Sequence, residues 1–200
     1  MNAVFDRAGA LKLRRQKPQG AIDSTGFESH HVSSHYLQRR GRRTDRYTDW
    51  PKVTAICEIE THLFCACIVT RGPNSDAPLF APALLQAHRY VHFDRLLGDA
   101  GFDAETNHRL ARDELGIRST VIPVNPRRGC PQASRGKYRR QMVGRFPCRV
   151  YHQRLHIESD FSQHKRVLGS ALRARGRWSR VRECYLRILT HNAMILWRAA

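Results

Sequence analysis

Apolar residues recur along the chain with two different periods. Ala21-Ile22-Asp23-Ser24-Thr25 is a short strand-like run that turns Asp23 to the face opposite Ile22. Val53 to Ile59 and Leu63 to Val69 are longer apolar runs on either side of Glu60-Thr61-His62, the pattern of a hairpin. Cys65 and Cys67 take alternate positions in the second run, as on a half-buried strand. Asn74-Ser75-Asp76 opens a helix through Leu84 and Leu85; Pro78 is tolerated in its first turn, and Pro82 makes its early part irregular. Arg95-Leu96-Leu97-Gly98-Asp99 is a further strand, ending on an acid. A helix begun by Asp103 runs through Leu110 and Leu115 and stops at Gly116. Ser119 to Val124 is the last strand, closed by Pro123 and Pro126. Helical spacing returns from Tyr151 to Leu168, and again from Trp178 to Trp197 with Val181, Tyr185, Ile188, Asn192 and Ile195 on one stripe. The order of these elements predicts an α/β fold, a mixed five-stranded sheet flanked by helices.

Two hundred residues suit one domain with a sizeable core. Charge changes the picture more than length does. Against 17 Asp and Glu stand 35 Lys and Arg, a net of +18. Such an excess repels itself, and a polyanionic partner relieves it. The basic residues gather in three places: Lys12, Arg14, Arg15 and Lys17 near the start; Arg39, Arg40, Arg42 and Arg43 in a polar stretch at 29–49; and a Gly-, Pro- and Arg-rich stretch at 125–149. All three read as exposed basic segments. The six cysteines (57, 65, 67, 130, 148 and 184) form no CxxC pair and no zinc spacing, which fits free thiols in a reducing cytoplasm. No apolar run approaches the length of a membrane span.

Acids at strand ends are unusual, because strands disfavour Asp and a buried carboxylate is costly. Asp23 and Asp99 invite a shared explanation, and divalent metal binding supplies one, since Mg²⁺ prefers hard oxygen ligands and offsets carboxylate repulsion. A third acid lies on the helix around residue 158. At about 100° per residue, Tyr151, Arg154, Glu158 and Lys165 fall within roughly 60° of arc on one face, beside a packing stripe of Ile157, Phe161 and Leu168. An exposed charged stripe with incidental ion pairs gives the same pattern. Asp76 and Asp103 read as helix-start acids, Asp160 as facing elsewhere on its helix, and Trp178 as core. Glu58 stands on the hairpin, either exposed or neighbouring the acids.

The spacing Tyr151-x2-Arg154-x3-Glu158-x6-Lys165 resembles the YREK signature of DDE transposases from bacterial insertion sequences. Ala21-Ile22-Asp23-Ser24-Thr25-Gly26, Gly98-Asp99-Ala100-Gly101-Phe102-Asp103 and the late His191-Asn192 also look like this group. The likeness covers residues 20–197 and implies an RNase H-like fold, with Asp23 on the first strand, Asp99 on the fourth and Glu158 on a helix after the fifth. It further implies that these three acids are catalytic and hold two Mg²⁺ (or Mn²⁺) ions. Tyr151, Arg154 and Lys165 are then the DNA-binding residues. The implied partner is double-stranded DNA, both transposon ends and target, bound by a homodimer at the nucleoid in the bacterial cytoplasm. Residues 1–19 are expected to be the remnant of a larger N-terminal region, because members of the group carry recognition helices there. Two other readings stand beside this one. One is a DNA-binding relic or domesticated protein without catalysis; the other is a different RNase H-like nuclease, such as a resolvase or ribonuclease.

Overall fold

The residues of one strand alternate between two cores, and that alternation organises the molecule. The structure is a computed structural model that describes residues 1–11, 13, 16–28, 50–125 and 136–200. The basic residues Lys12, Arg14, Arg15, Arg39, Arg40, Arg42 and Arg43, together with Cys130, lie outside the described residues.

Five strands form one sheet among the described residues: β1 (Gln19–Gly26), β2 (Pro51–Glu58), β3 (Phe64–Arg71), β4 (Arg95–Gly98) and β5 (Ser119–Val121), in the order β3-β2-β1-β4-β5. β2 runs antiparallel to both β1 and β3, whereas β1, β4 and β5 are parallel. The sheet is thus mixed and flanked by helices, in the RNase H-like arrangement the sequence leads one to expect. Neighbouring residues of the central strands point to opposite faces. Ile22, Ile56, Leu96 and Ile122 join Phe80, Leu84 and Phe102 in one core. Ala21, Ala55, Leu97 and Val121 join Ile157, Phe161 and Ile188 in the other.

The first core is covered by α1 (Asn2–Ala10), α2 (Phe80–His88) and α3 (Glu105–Arg109, continued by a π-helical turn at Leu110–Glu114). The second is covered by α6 (Leu155–Leu168) and α7 (Arg177–Ala199). Between these groups lie the short helices α4 (Lys137–Gly144) and α5 (Cys148–Tyr151).

Two regions read as basic segments are helical in part. α1 buries Phe5 and Ala8, and Phe5 stacks on Tyr90 with ring centroids 4.9 Å apart. α4 begins where Glu105 accepts hydrogen bonds from the backbone N–H groups of Tyr138 and Arg139 at 3.1 and 3.0 Å. Those are donors that a helix start leaves unsatisfied. Cys65 and Cys67 are both buried, because β3 is covered on its two faces by α2 and α7.

Candidate active site

Asp23 and Asp99 are brought level by strand register. The parallel pairing sets Ile22 beside Gly98, so the next residue of each strand is an acid. Both lie at the carboxyl end of the parallel strands, where open α/β sheets place their ligands. Asp23 Oδ1 accepts a hydrogen bond from the Ser24 N–H at 2.8 Å. Asp99 directly follows β4 and caps the 3-10 turn Ala100–Phe102, its Oδ1 accepting from the Gly101 N–H at 2.8 Å. Gly26, at the far end of β1, is small for a reason: a Cβ there would sit 2.8 Å from the Trp50 ring.

Glu158 comes from α6, whose Ile157 and Phe161 pack on the same sheet face as Asp23. A 3-10 turn at His152–Arg154 separates Tyr151 from that helix, so the four residues of the stripe do not share one uninterrupted α-helix. They gather nonetheless. Arg154 lies between two acids, with Nη1 3.4 Å from Asp23 Oδ2 and Nη2 hydrogen-bonded to Glu158 Oε1. Its guanidinium also sits 5.7 Å from the centre of the Tyr151 ring. Further along α6, Lys165 Nζ donates to Thr25 Oγ1 at 2.7 Å and lies over Phe27. Asp23, Thr25, Glu158, Ser162 and Lys165 line one open cleft of about 590 Å³.

Burial dominates the electrostatics of the centre. Burial pushes the Asp23 carboxyl up to about 6; the Ser24 N–H and Arg154 oppose this, while Asp99 and Glu158 add to it. Asp99 is raised as well, by burial first and then by Asp76. Burial holds Lys165 below the ordinary lysine value. The donor set is all hard oxygen, which suits Mg²⁺ or Mn²⁺ rather than a soft metal. Among the described residues no three carboxylate, imidazole or thiol groups converge on a single point; the guanidinium of Arg154 stands where Asp23 and Glu158 would meet. A cation held jointly by Asp23 and Glu158 would have to displace this arginine.

Several acids play roles the sequence pattern does not reveal. Asp76 stands at the N-cap of the 3-10 turn Ala77–Leu79, but its side chain makes no capping hydrogen bond. Its Oδ1 accepts from Ser24 Oγ at 2.6 Å and pairs with Lys52 Nζ at 2.7 Å. Asn74-Ser75-Asp76 does open a helical turn, as its composition suggests, but composition does not show that the Asp76 side chain is engaged elsewhere. Asp103 is fully buried and holds Arg139 bidentately at 2.8 and 2.7 Å while accepting the Asn125 N–H, so it anchors α4 rather than capping α3. Asp160 is buried and paired with His62 Nδ1 at 2.7 Å. Glu58 is buried and closes the hairpin turn through the N–H groups of Glu60 and Thr61. Trp178, read as core, is 74% exposed.

The last motif residues also have structural work. Asn192 accepts from the Phe64 N–H and donates to the Phe64 carbonyl, both at 2.9 Å, which closes the outer edge of β3. His191 Nε2 lies 3.0 Å from the His62 carbonyl. A family model described as a transposase DDE domain matches residues 14–193. No curated protein matches the chain.

Proposed function

The chain belongs to the transposase DDE-domain family, and from that premise we propose that residues 20–197 cut and join DNA at the ends of an insertion sequence, with Asp23, Asp99 and Glu158 as the catalytic acids. One observation carries the proposal: two acids level on adjacent parallel strands, with a third on the helix packed over the same face. Asp23 stands centrally and feels the charge of both other acids, and Asp23, Asp99 and Glu158 would together hold two Mg²⁺ or Mn²⁺ ions. Bound there, such ions activate a water or a 3′-hydroxyl and stabilise the leaving oxygen of an in-line phosphodiester displacement.

The chain's own side chains do the positioning. Arg154 pairs with Asp23 and Glu158, and with those acids holding cations its planar fork would be free for a phosphate. Lys165, at the other end of the cleft, supplies a point charge to the same DNA strand, and Tyr151 backs Arg154. The net charge of +18 favours double-stranded DNA, transposon end and target alike, as partner. Joining two ends calls for two copies of the site, so a homodimer is assigned to the DNA complex and the nucleoid of the cytoplasm to its place of action. Among the described residues no helix is long and apolar enough to cross a membrane.

The test is Asp23→Asn with strand cleavage and DNA binding measured together on a duplex carrying the element's ends. Cleavage in Mg²⁺ is lost and binding is kept. If cleavage persists, the assignment of the three acids is wrong. The bridge made by Arg154 also suits a protein that binds DNA without cutting it. A wild-type chain that binds the duplex but never nicks it in Mg²⁺ or Mn²⁺ establishes that second reading.

A further inference from the structure

Asp76 enters the acidic centre from the face of the sheet opposite Glu158. Ser24 follows Asp23 on β1 and therefore points the other way. Its backbone N–H donates to Asp23 Oδ1 at 2.8 Å, while its hydroxyl donates to Asp76 Oδ1 at 2.6 Å. Thr54 Oγ1, on β2, lies 2.7 Å from the same hydroxyl and fixes its direction. One residue thus ties two carboxylates together.

Lys52 holds Asp76 from the other side. Its ammonium pairs with Asp76 Oδ1 at 2.7 Å and donates to the Asn74 carbonyl at 2.6 Å, with the side chain only 12% exposed. With Oδ1 doubly engaged, Oδ2 is left beside Gly101. A Cβ on Gly101 would lie 2.9 Å from Asp99 Oδ1 and 3.2 Å from Asp76 Oδ2, so both carboxylates crowd that bare α-carbon. Folding has brought a charge up to Asp99 that a plain helix start does not need.

We propose that Asp76 is a positioning residue of the acidic centre, held by Ser24 and Lys52 so that its charge and its Oδ2 would act on a divalent cation held at Asp99. The inference rests on the metal-binding reading of Asp23, Asp99 and Glu158. Asp76 sets how tightly the Asp99 side binds the ion, and Lys52 tempers it by partial neutralisation. Carboxylates that orient metal ligands from behind change metal affinity by about 10- to 100-fold when altered.

The experiment titrates Mn²⁺ into the full chain without DNA, followed by electron paramagnetic resonance, alongside melting of the metal-free proteins. Asp76→Asn is expected to weaken Mn²⁺ binding about tenfold, and Asp76→Glu, which keeps the charge, to restore it. Lys52→Met removes the neutralising charge and is expected to tighten binding about threefold. A merely structural role predicts the opposite for Lys52→Met, a weakening that follows the loss of melting temperature. Unchanged Mn²⁺ affinity in Asp76→Asn overturns the inference, and so does weakening in Lys52→Met. Asp23→Asn separates the two levels: if it leaves Mn²⁺ binding intact, the metal-binding reading itself fails. If it weakens binding while Asp76→Asn does not, the inference about Asp76 fails alone.

Discussion

His164 lies 1% exposed among Phe27, Phe64 and His191, and neither ring nitrogen has a hydrogen-bond partner. Burial, reinforced by His191, Arg187 and Lys165, pulls its pKa down from 6.5 to about 4. Between those two values the unfolded chain takes up a proton there that the folded chain refuses. Stability therefore falls as the pH drops from 6.5 toward 4, by up to about 1.4 kcal/mol per pH unit for one proton. His108, buried against Thr120 and also lowered to about 4, adds to the same slope. Asp23 opposes it: its folded pKa of about 6 exceeds the ordinary 3.8, so its protonation favours the fold as the pH falls. Thermal melting across pH 4 to 7 checks the balance. His164→Phe is expected to flatten the acid loss, and an unchanged profile contradicts this account of His164.

A second residue-scale prediction concerns Asp103. It is fully buried, and its charge is matched by Arg139, whose side chain is 16% exposed. Arg139→Met removes the matching charge from that buried carboxylate, and a loss of about 3 kcal/mol in denaturant unfolding is expected. Neither this pair nor the contact of Asp76 with Ser24 and Lys52 was legible in the sequence. The partners are far apart along the chain, and composition around each Asp matches an ordinary helix start. Asp23, Asp99 and Glu158 stand out in the sequence because each breaks or completes a local pattern: Asp23 interrupts a strand-like run, Asp99 follows one, and Glu158 completes a spaced stripe.

At the scale of elements, α7 does more than cover a face. Asn192 uses both ends of its amide on the backbone of Phe64, where β3 would otherwise present an open edge. Arg187 donates to the carbonyls of Gly169 and Ala171, just after α6, and is held by Glu183 at 2.7 Å. Asn192→Ala strands a buried N–H and a carbonyl, so a loss of about 2 kcal/mol in stability is expected; a loss under about 0.5 kcal/mol by the same measure contradicts the edge-closing role. The five strands and the long helices were legible, since periods of two and 3.6 residues mark them directly. α1 and α4 were not. α1 buries only Phe5 and Ala8, with Val4 packed partly against the core, and α4 buries only Tyr138 and has its start capped by Glu105, a tertiary contact across more than 30 residues. The 3-10 turn before α6 likewise escapes a calculation that assumes ideal helical geometry.

Across the whole molecule, the excess of positive charge and the acidic cleft have to work together. Duplex binding is expected to weaken steeply with salt, because each neutralised phosphate contributes about 0.9 to the slope of log affinity against log salt. Lys165→Gln should lower the magnitude of that slope by about one. An unchanged slope removes Lys165 from the DNA contact. The central claim concerns the acids, and Glu158 offers the cleanest access to it. Its side chain is 43% exposed, so Glu158→Gln disturbs no core packing, whereas Asp23 and Asp99 sit among backbone hydrogen bonds. The deciding measurement is the single-turnover rate of Mg²⁺-dependent cleavage of an end-bearing duplex by wild type and Glu158→Gln, at matched DNA occupancy. A metal ligand contributes several kcal/mol to such a step, so a loss of about a thousandfold with unchanged DNA binding is predicted. Cleavage by Glu158→Gln within about tenfold of wild type contradicts a catalytic centre built on these three acids.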